Sequence, residues 1–228
     1  MLRITVLCGL LFIGFSAYAE VESYNRVNFQ VEVSREVAND LLVANLIVEI
    51  QDKEPALVTQ RLNNVLNDAL EKASAFSTVK ASSGNQNTRP VYNKNNKVDT
   101  WHGYAEIHLE SLDFKATGEL IMQLQQRMQL ANIQFNISPD TRAQVENELI
   151  TEAIKAFRTR ASAISSAMGT NTYKNVNLSI SNSGGKPTPH PRAMMRNVMA
   201  LEASIPAPEF ASGDSRMAVQ INGAIELQ

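Results

Sequence analysis

Cysteine, tryptophan and histidine are scarce in this chain: its 228 residues hold one, one and three of them. The single cysteine, Cys8, lies inside an apolar run covering residues 4–17. Arg3 precedes the run, and Ala17-Tyr18-Ala19 closes it just ahead of Glu20, the first acidic residue. A basic start, a short apolar core and small residues at A-x-A positions are the marks of a cleavable export signal. We therefore expect cleavage after Ala19 and a periplasmic protein that begins at Glu20. Fourteen apolar residues fall short of the roughly 20 that a membrane-crossing helix needs, so no transmembrane anchor is expected in the processed chain. Losing Cys8 with the signal leaves 209 residues and no thiol. That excludes a disulfide framework, a cysteine nucleophile and a cysteine-ligated metal, and leaves burial to supply stability.

Basic runs are absent too. The processed chain would carry 20 Lys and Arg against 23 Asp and Glu, evenly spread, so it offers no electrostatic footprint for nucleic acid. No serine sits in a Gly-x-Ser-x-Gly elbow. The only candidate bases are His102, His108 and His190, and His190 is wedged between Pro189 and Pro191, where a general base is poorly held. Ser183-Gly184-Gly185-Lys186 lacks the spacing of a phosphate loop and runs into Pro187 rather than a helix. No catalytic residue, cofactor or metal is expected.

What the chain does have is periodicity. Five segments alternate apolar and polar residues, which places the apolar set on one face of a strand. They carry Val27-Phe29-Val31-Val33, Trp101-Gly103-Ala105-Ile107-Leu109, Ile133-Phe135-Ile137, Val176-Leu178-Ile180 and Val219-Ile221-Gly223-Ile225-Leu227. Residues 42–50 are more continuously apolar, as in a central strand. Three segments follow the helical period instead. The first covers residues 55–76, with Val58, Leu62, Val65, Leu66, Ala69, Ala73 and Phe76 on one stripe; the second covers 114–130, with Leu120, Ile121, Leu124 and Met128 inward. The third opens on Ser138-Pro139-Asp140, an N-cap, a first-turn proline and an early carboxylate. Its stripe is Leu149, Ala153, Phe157, Ala161, Ile164 and Met168, and Gly169 ends it. The order predicts an α+β fold: an antiparallel sheet with amphipathic helices packed on one face. One domain is expected over residues 20–228. Within it, residues 183–215 form a loop rich in Pro and Met, and residues 85–96 a polar hairpin tip.

Three stretches resemble the SIMPL-domain family of YggE-type periplasmic and periplasmic immunogenic proteins. Arg89-Pro90-Val91-Tyr92, followed by Trp101-His102-Gly103-Tyr104, is similar to the family's aromatic hairpin. Residues 149–169, with Ala153, Phe157-Arg158, Arg160-Ala161 and Ala167-Met168-Gly169, resemble its long Ala-rich helix. Pro208 and Gly213 before the alternating last strand match its C-terminal end. Phe157 stands where the family usually has Ala, and the 183–215 loop is longer and richer in Pro and Met. The resemblance implies an exported, SIMPL-like α+β protein of a family not known for enzymes, associated with envelope and oxidative stress, some of whose members form ring-like oligomers. It brings no catalytic motif.

Three surfaces stand out. His102, Tyr104, Glu106, His108 and Glu110 share one strand face, but at about 3.3 Å per residue the two histidines lie roughly 20 Å apart. Only Glu106 and His108 could share an ion, and a solvated polar face is the expected reading. Met194, Met195 and Met199, with Leu201, make an apolar patch that either packs back on the domain or offers an adaptable contact. Tyr92 and Tyr104 are possible ligand or partner contacts, whereas Trp101 is expected in the core. The expected function is thus a non-enzymatic periplasmic SIMPL-domain protein, a homo-oligomer in envelope or oxidative-stress defence. The alternative is a binding module for a small ligand or an envelope protein.

Overall fold

The computed structural model describes residues 25–183 and 211–228. Residues 1–19 with Cys8, and His190, Met194, Met195, Met199 and Leu201, lie outside the described residues. The five alternating segments form β1 (Arg26–Ala38), β4 (Val98–Ser111), β5 (Gln129–Asn136), β6 (Tyr173–Ser183) and β7 (Asp214–Leu227), and the continuously apolar one forms β2 (Leu41–Asp52), with β3 at Lys80–Tyr92. The helical stripes become α1 (Pro55–Ser74), α2 (Phe114–Leu124) and α3 (Pro139–Ala167). Ser138 Oγ accepts from the Thr141 amide at the start of α3, and Gly169 takes φ +77° just past its end, so both expected helix stops operate as read.

The α+β class holds, and the strands divide between two antiparallel sheets. One has the order β3-β4-β2-β5 and is covered by α1 and α2; the other has the order β1-β7-β6 and is covered by α3. Each has its own core. Leu42, Leu46, Leu62, Ile107, Leu109 and Leu120 anchor the first, and Val31, Leu149, Phe157, Val219, Ile221 and Ile225 the second. The division falls at Asn39-Asp40, the two residues between β1 and β2. Asn39 donates from its amide to Gly213 O at 3.0 Å and from Nδ2 to Ser212 O at 2.9 Å, and accepts from Ser215 Oγ at 2.6 Å. Asp40 accepts from the Ser138 amide at 2.6 Å, Ser138 Oγ at 2.8 Å and Thr141 Oγ1 at 2.6 Å. The corner between the sheets therefore also ties down the start of β7 and of α3.

Two boundaries differ from the sequence expectation. The helix expected over 114–130 stops at Leu124, because Leu130 enters β5 opposite Leu46. The polar loop expected over 85–96 is mostly strand. β3 continues to Tyr92, and the turn is confined to the residues around Asn93, whose amide donates to Lys97 O at 2.8 Å. Backbone ladder bonds to β4 carry the polar residues between Gln86 and Arg89, a pairing that hydropathy does not register.

Candidate functional site

Along β4 the odd-numbered residues face α1 and the even-numbered ones face away. Gly103 shows the direction, because a Cβ there would meet Val58 and Leu62. The open face thus gathers His102, Tyr104, Glu106, His108 and Glu110, as the alternation predicts. Register adds Gln51 opposite His102, Glu49 opposite Tyr104 and Asn45 opposite His108 from β2. It adds Arg89, Asn87, Ser82 and Lys80 from β3.

His108 is held on both sides: Nδ1 lies 2.6 Å from Asn45 Oδ1 and Nε2 lies 3.0 Å from Glu110 Oε1. Glu110 also meets Lys80 Nζ at 3.9 Å. Glu106, which alone could have shared an ion with His108, interacts with Tyr104. Burial pushes the Tyr104 hydroxyl pKa up, and the charge and hydrogen bond of Glu106, then the charge of Glu49, push it further. His102 sits with Nε2 3.8 Å from Glu49 Oε1, while its Nδ1 is buried with no partner. The face carries polar groups that can donate to and accept from a surface laid along it, with Val43 and Ile47 of β2 set opposite Glu110 and Glu106. Among the described residues, no group of three or more His, Cys, Asp and Glu is gathered to hold a metal ion. Sequence reasoning missed Asn45 and Glu49, since both come from the continuously apolar strand and reach the face only through β2–β4 register.

The aromatic candidates are spread out. Trp101 lies opposite Pro90 and packs, half-buried, against the helix-side core, while Tyr104 is on the other face of the same strand. Tyr92 closes β3 opposite Val98 and is 56% exposed. It lies five residues along β3 from Asn87, the partner of Tyr104, roughly 16 Å at strand rise. The structure therefore does not bring Tyr92, Trp101 and Tyr104 into one stacking platform.

A second surface lies on the other sheet. Leu178 and Ile180 pair with Gly223 and Ile221, which places them on the α3 side of the edge strand β6. The helix, however, lies over β7 and β1. Val176, Leu178 and Ile180 remain 37%, 42% and 40% exposed, and Ile154 of α3 is exposed as well. Thr151, Lys155, Arg158 and Tyr173 frame an open hollow around Ile154. The alternation of Val176, Leu178 and Ile180 revealed a strand; that it is left at an edge is a property of sheet order.

No described helix is long and apolar enough to cross a membrane. No curated protein matches this chain. A family model described as SIMPL, protein of unknown function (DUF541), matches residues 27–225, from the start of β1 to near the end of β7. The two-sheet α+β chain described here belongs to the SIMPL family.

Proposed function

We propose that this is an exported, non-enzymatic SIMPL-domain protein that works in the periplasm as a homo-oligomer, in defence against envelope or oxidative stress. The observation that carries the reading is the apolar edge strand β6, where Val176, Leu178 and Ile180 stand open to solvent. Exposed apolar strand edges are a liability that monomers manage, and an interface is the usual reason to keep one. The export-type start at residues 1–19 supports the periplasmic address. With Cys8 inside that segment, a stress role runs through assembly or binding, with methionine oxidation at Met194, Met195 and Met199 as a further route. Native mass spectrometry of protein recovered from the periplasm tests this: the expected result is a multiple of a subunit that starts at Glu20. A monomer, or a subunit that keeps residues 1–19, counts against it.

A second reading, a binding module, draws on the open face of the four-stranded sheet, where His102 lies against Glu49 and keeps its Nδ1 buried and unpartnered. It expects a polar ligand there to quench the single tryptophan, Trp101, which precedes His102 in β4 and lies on the helix side of the strand. Loss of quenching in His102→Ala would assign the effect to this surface.

A further inference from the structure

We propose that two copies of this chain join edge to edge through β6, antiparallel along residues 177–183, with the two-fold axis at Ile180. The proposal rests on the oligomer reading above and names its joint.

Among the described residues, four strands have an unpaired edge, and three of them are guarded or used. β1 carries Arg26, Glu32, Arg35 and Glu36. β3 carries Lys80, Arg89 and Pro90. β5 has no charge, but its Leu130, Ile133 and Phe135 are packed against the core. β6 differs: after Lys174 it has no charge and no proline up to Ser183, and its three apolar side chains are exposed. Charges, prolines and bulges are what keep edges from pairing.

The register follows from two observations. A bulge interrupts the pairing of β6 with β7 between Asn175 and Asn177, and bulges bend a strand and end regular pairing. The regular run is therefore 177–183, and Ile180 is its midpoint. Self-pairing there sets Ile180 against Ile180, Leu178 against Asn182 and Ser179 against Ser181, with no like charges opposed. Charge on α3 agrees. Asn182 Nδ2 donates to the Glu146 carboxylate, whereas Leu178 lies opposite Gly223, which sits under Phe157. β6 thus runs against α3, with Asn182 at the level of Glu146 and Leu178 at the level of Phe157. The two-fold brings Leu178 of the second copy beside Asn182 of the first. It therefore brings the exposed Lys155 and Arg158 of the second copy to the level of Glu146, and does so twice. The product is a six-stranded sheet with both α3 helices on one face, and with Ile154, Leu178 and Ile180 of each copy lining the strip between them.

The test uses the full processed chain, which has no other thiol. Opposed residues in an antiparallel pair have Cα atoms about 4.5–5.5 Å apart, within disulfide reach. Mild oxidation should therefore convert Ile180→Cys to a covalent dimer. Leu178→Cys should stay uncoupled, because its own copy lies four residues along, roughly 13 Å. Light scattering should show wild type as an oligomer, and Ile180→Lys at half that mass or less with its circular dichroism retained. If Ile180→Lys fails to fold, the cysteine pair still decides. Coupling through Leu178→Cys rather than Ile180→Cys overturns the register. An oligomer that neither cysteine couples and that survives Ile180→Lys overturns the β6 joint alone. A wild-type monomer overturns both the joint and the oligomer reading. In such a monomer, slow exchange of the β6 amides that point away from β7 would assign the strip to another segment of the same chain.

Discussion

A methyl group on Gly103 would sit 2.3 Å from Cγ1 of Val58 and 2.8 Å from Cδ1 of Leu62. Glycine here lets α1 lie directly on β4, and the requirement is one of space. Overpacking of this kind costs about 1–3 kcal/mol, so Gly103→Ala should lower the urea midpoint by a corresponding amount with an unchanged slope. Alternation showed Gly103 on the inward face, but nothing local to it showed that α1 passes overhead. Asp40 makes a second case. Burial pushes its carboxyl up, but hydrogen bonds from the Thr141 hydroxyl and from the Ser138 amide and hydroxyl outweigh that and hold the pKa below its ordinary 3.8. A depressed carboxyl stabilises the fold fully above its ordinary pKa and loses that contribution as pH falls through the lowered value. The stability gap between wild type and Asp40→Asn should hold steady from neutral pH down to about 4 and close below it. Urea titrations at several pH values would show this, and a gap independent of pH would remove Asp40 from the account.

Phe157 explains how α3 meets its sheet. It is fully buried and stacks on Phe29 of β1 with ring centroids 4.4 Å apart. Its ring occupies the room left by Gly223, where a Cβ would lie 2.7 Å from Cζ. A large residue on α3, where the family resemblance expects Ala, is thus matched by the absence of a side chain on β7. Phe157→Ala should cost about 3–5 kcal/mol, read from the denaturation midpoint. Phe29→Ala should cost less, because Phe29 is only partly buried. The stripe of α3 was legible from Leu149 to Ala161 because its members recur within a turn or two, whereas Met168, expected in the stripe, lies past the end of the helix and is exposed. The end of α2 and the course of β3 were not. Leu130 fits a helical stripe as well as a strand, and the polar residues of β3 are strand only because β4 hydrogen-bonds to them.

Two cores joined at Asn39-Asp40 make a molecule that need not loosen evenly. Leu62→Ala empties a site wholly within the first core, at a cost of about 2–5 kcal/mol. Amide exchange should then quicken in β2 and β4 more than in β1 and β7, since local opening follows contiguous packed units. Equal acceleration in both sheets would show that the corner couples them fully. Element type was readable along most of the chain, because period two and period 3.6 depend on neighbours a few residues away. Sheet membership was not, because it is set by residues far apart. Arg26 pairs with Glu226, and that one ladder, closing the first strand on the last, places β7 in the middle of its sheet and leaves β6 at the edge. The same holds for the polar face of β4, whose alternating residues announce it while its partners Asn45 and Glu49 arrive only with β2. Local chemistry chose the strands and helices. Long-range pairing chose which surfaces stay open, since a backbone edge is satisfied or exposed only by what folds against it.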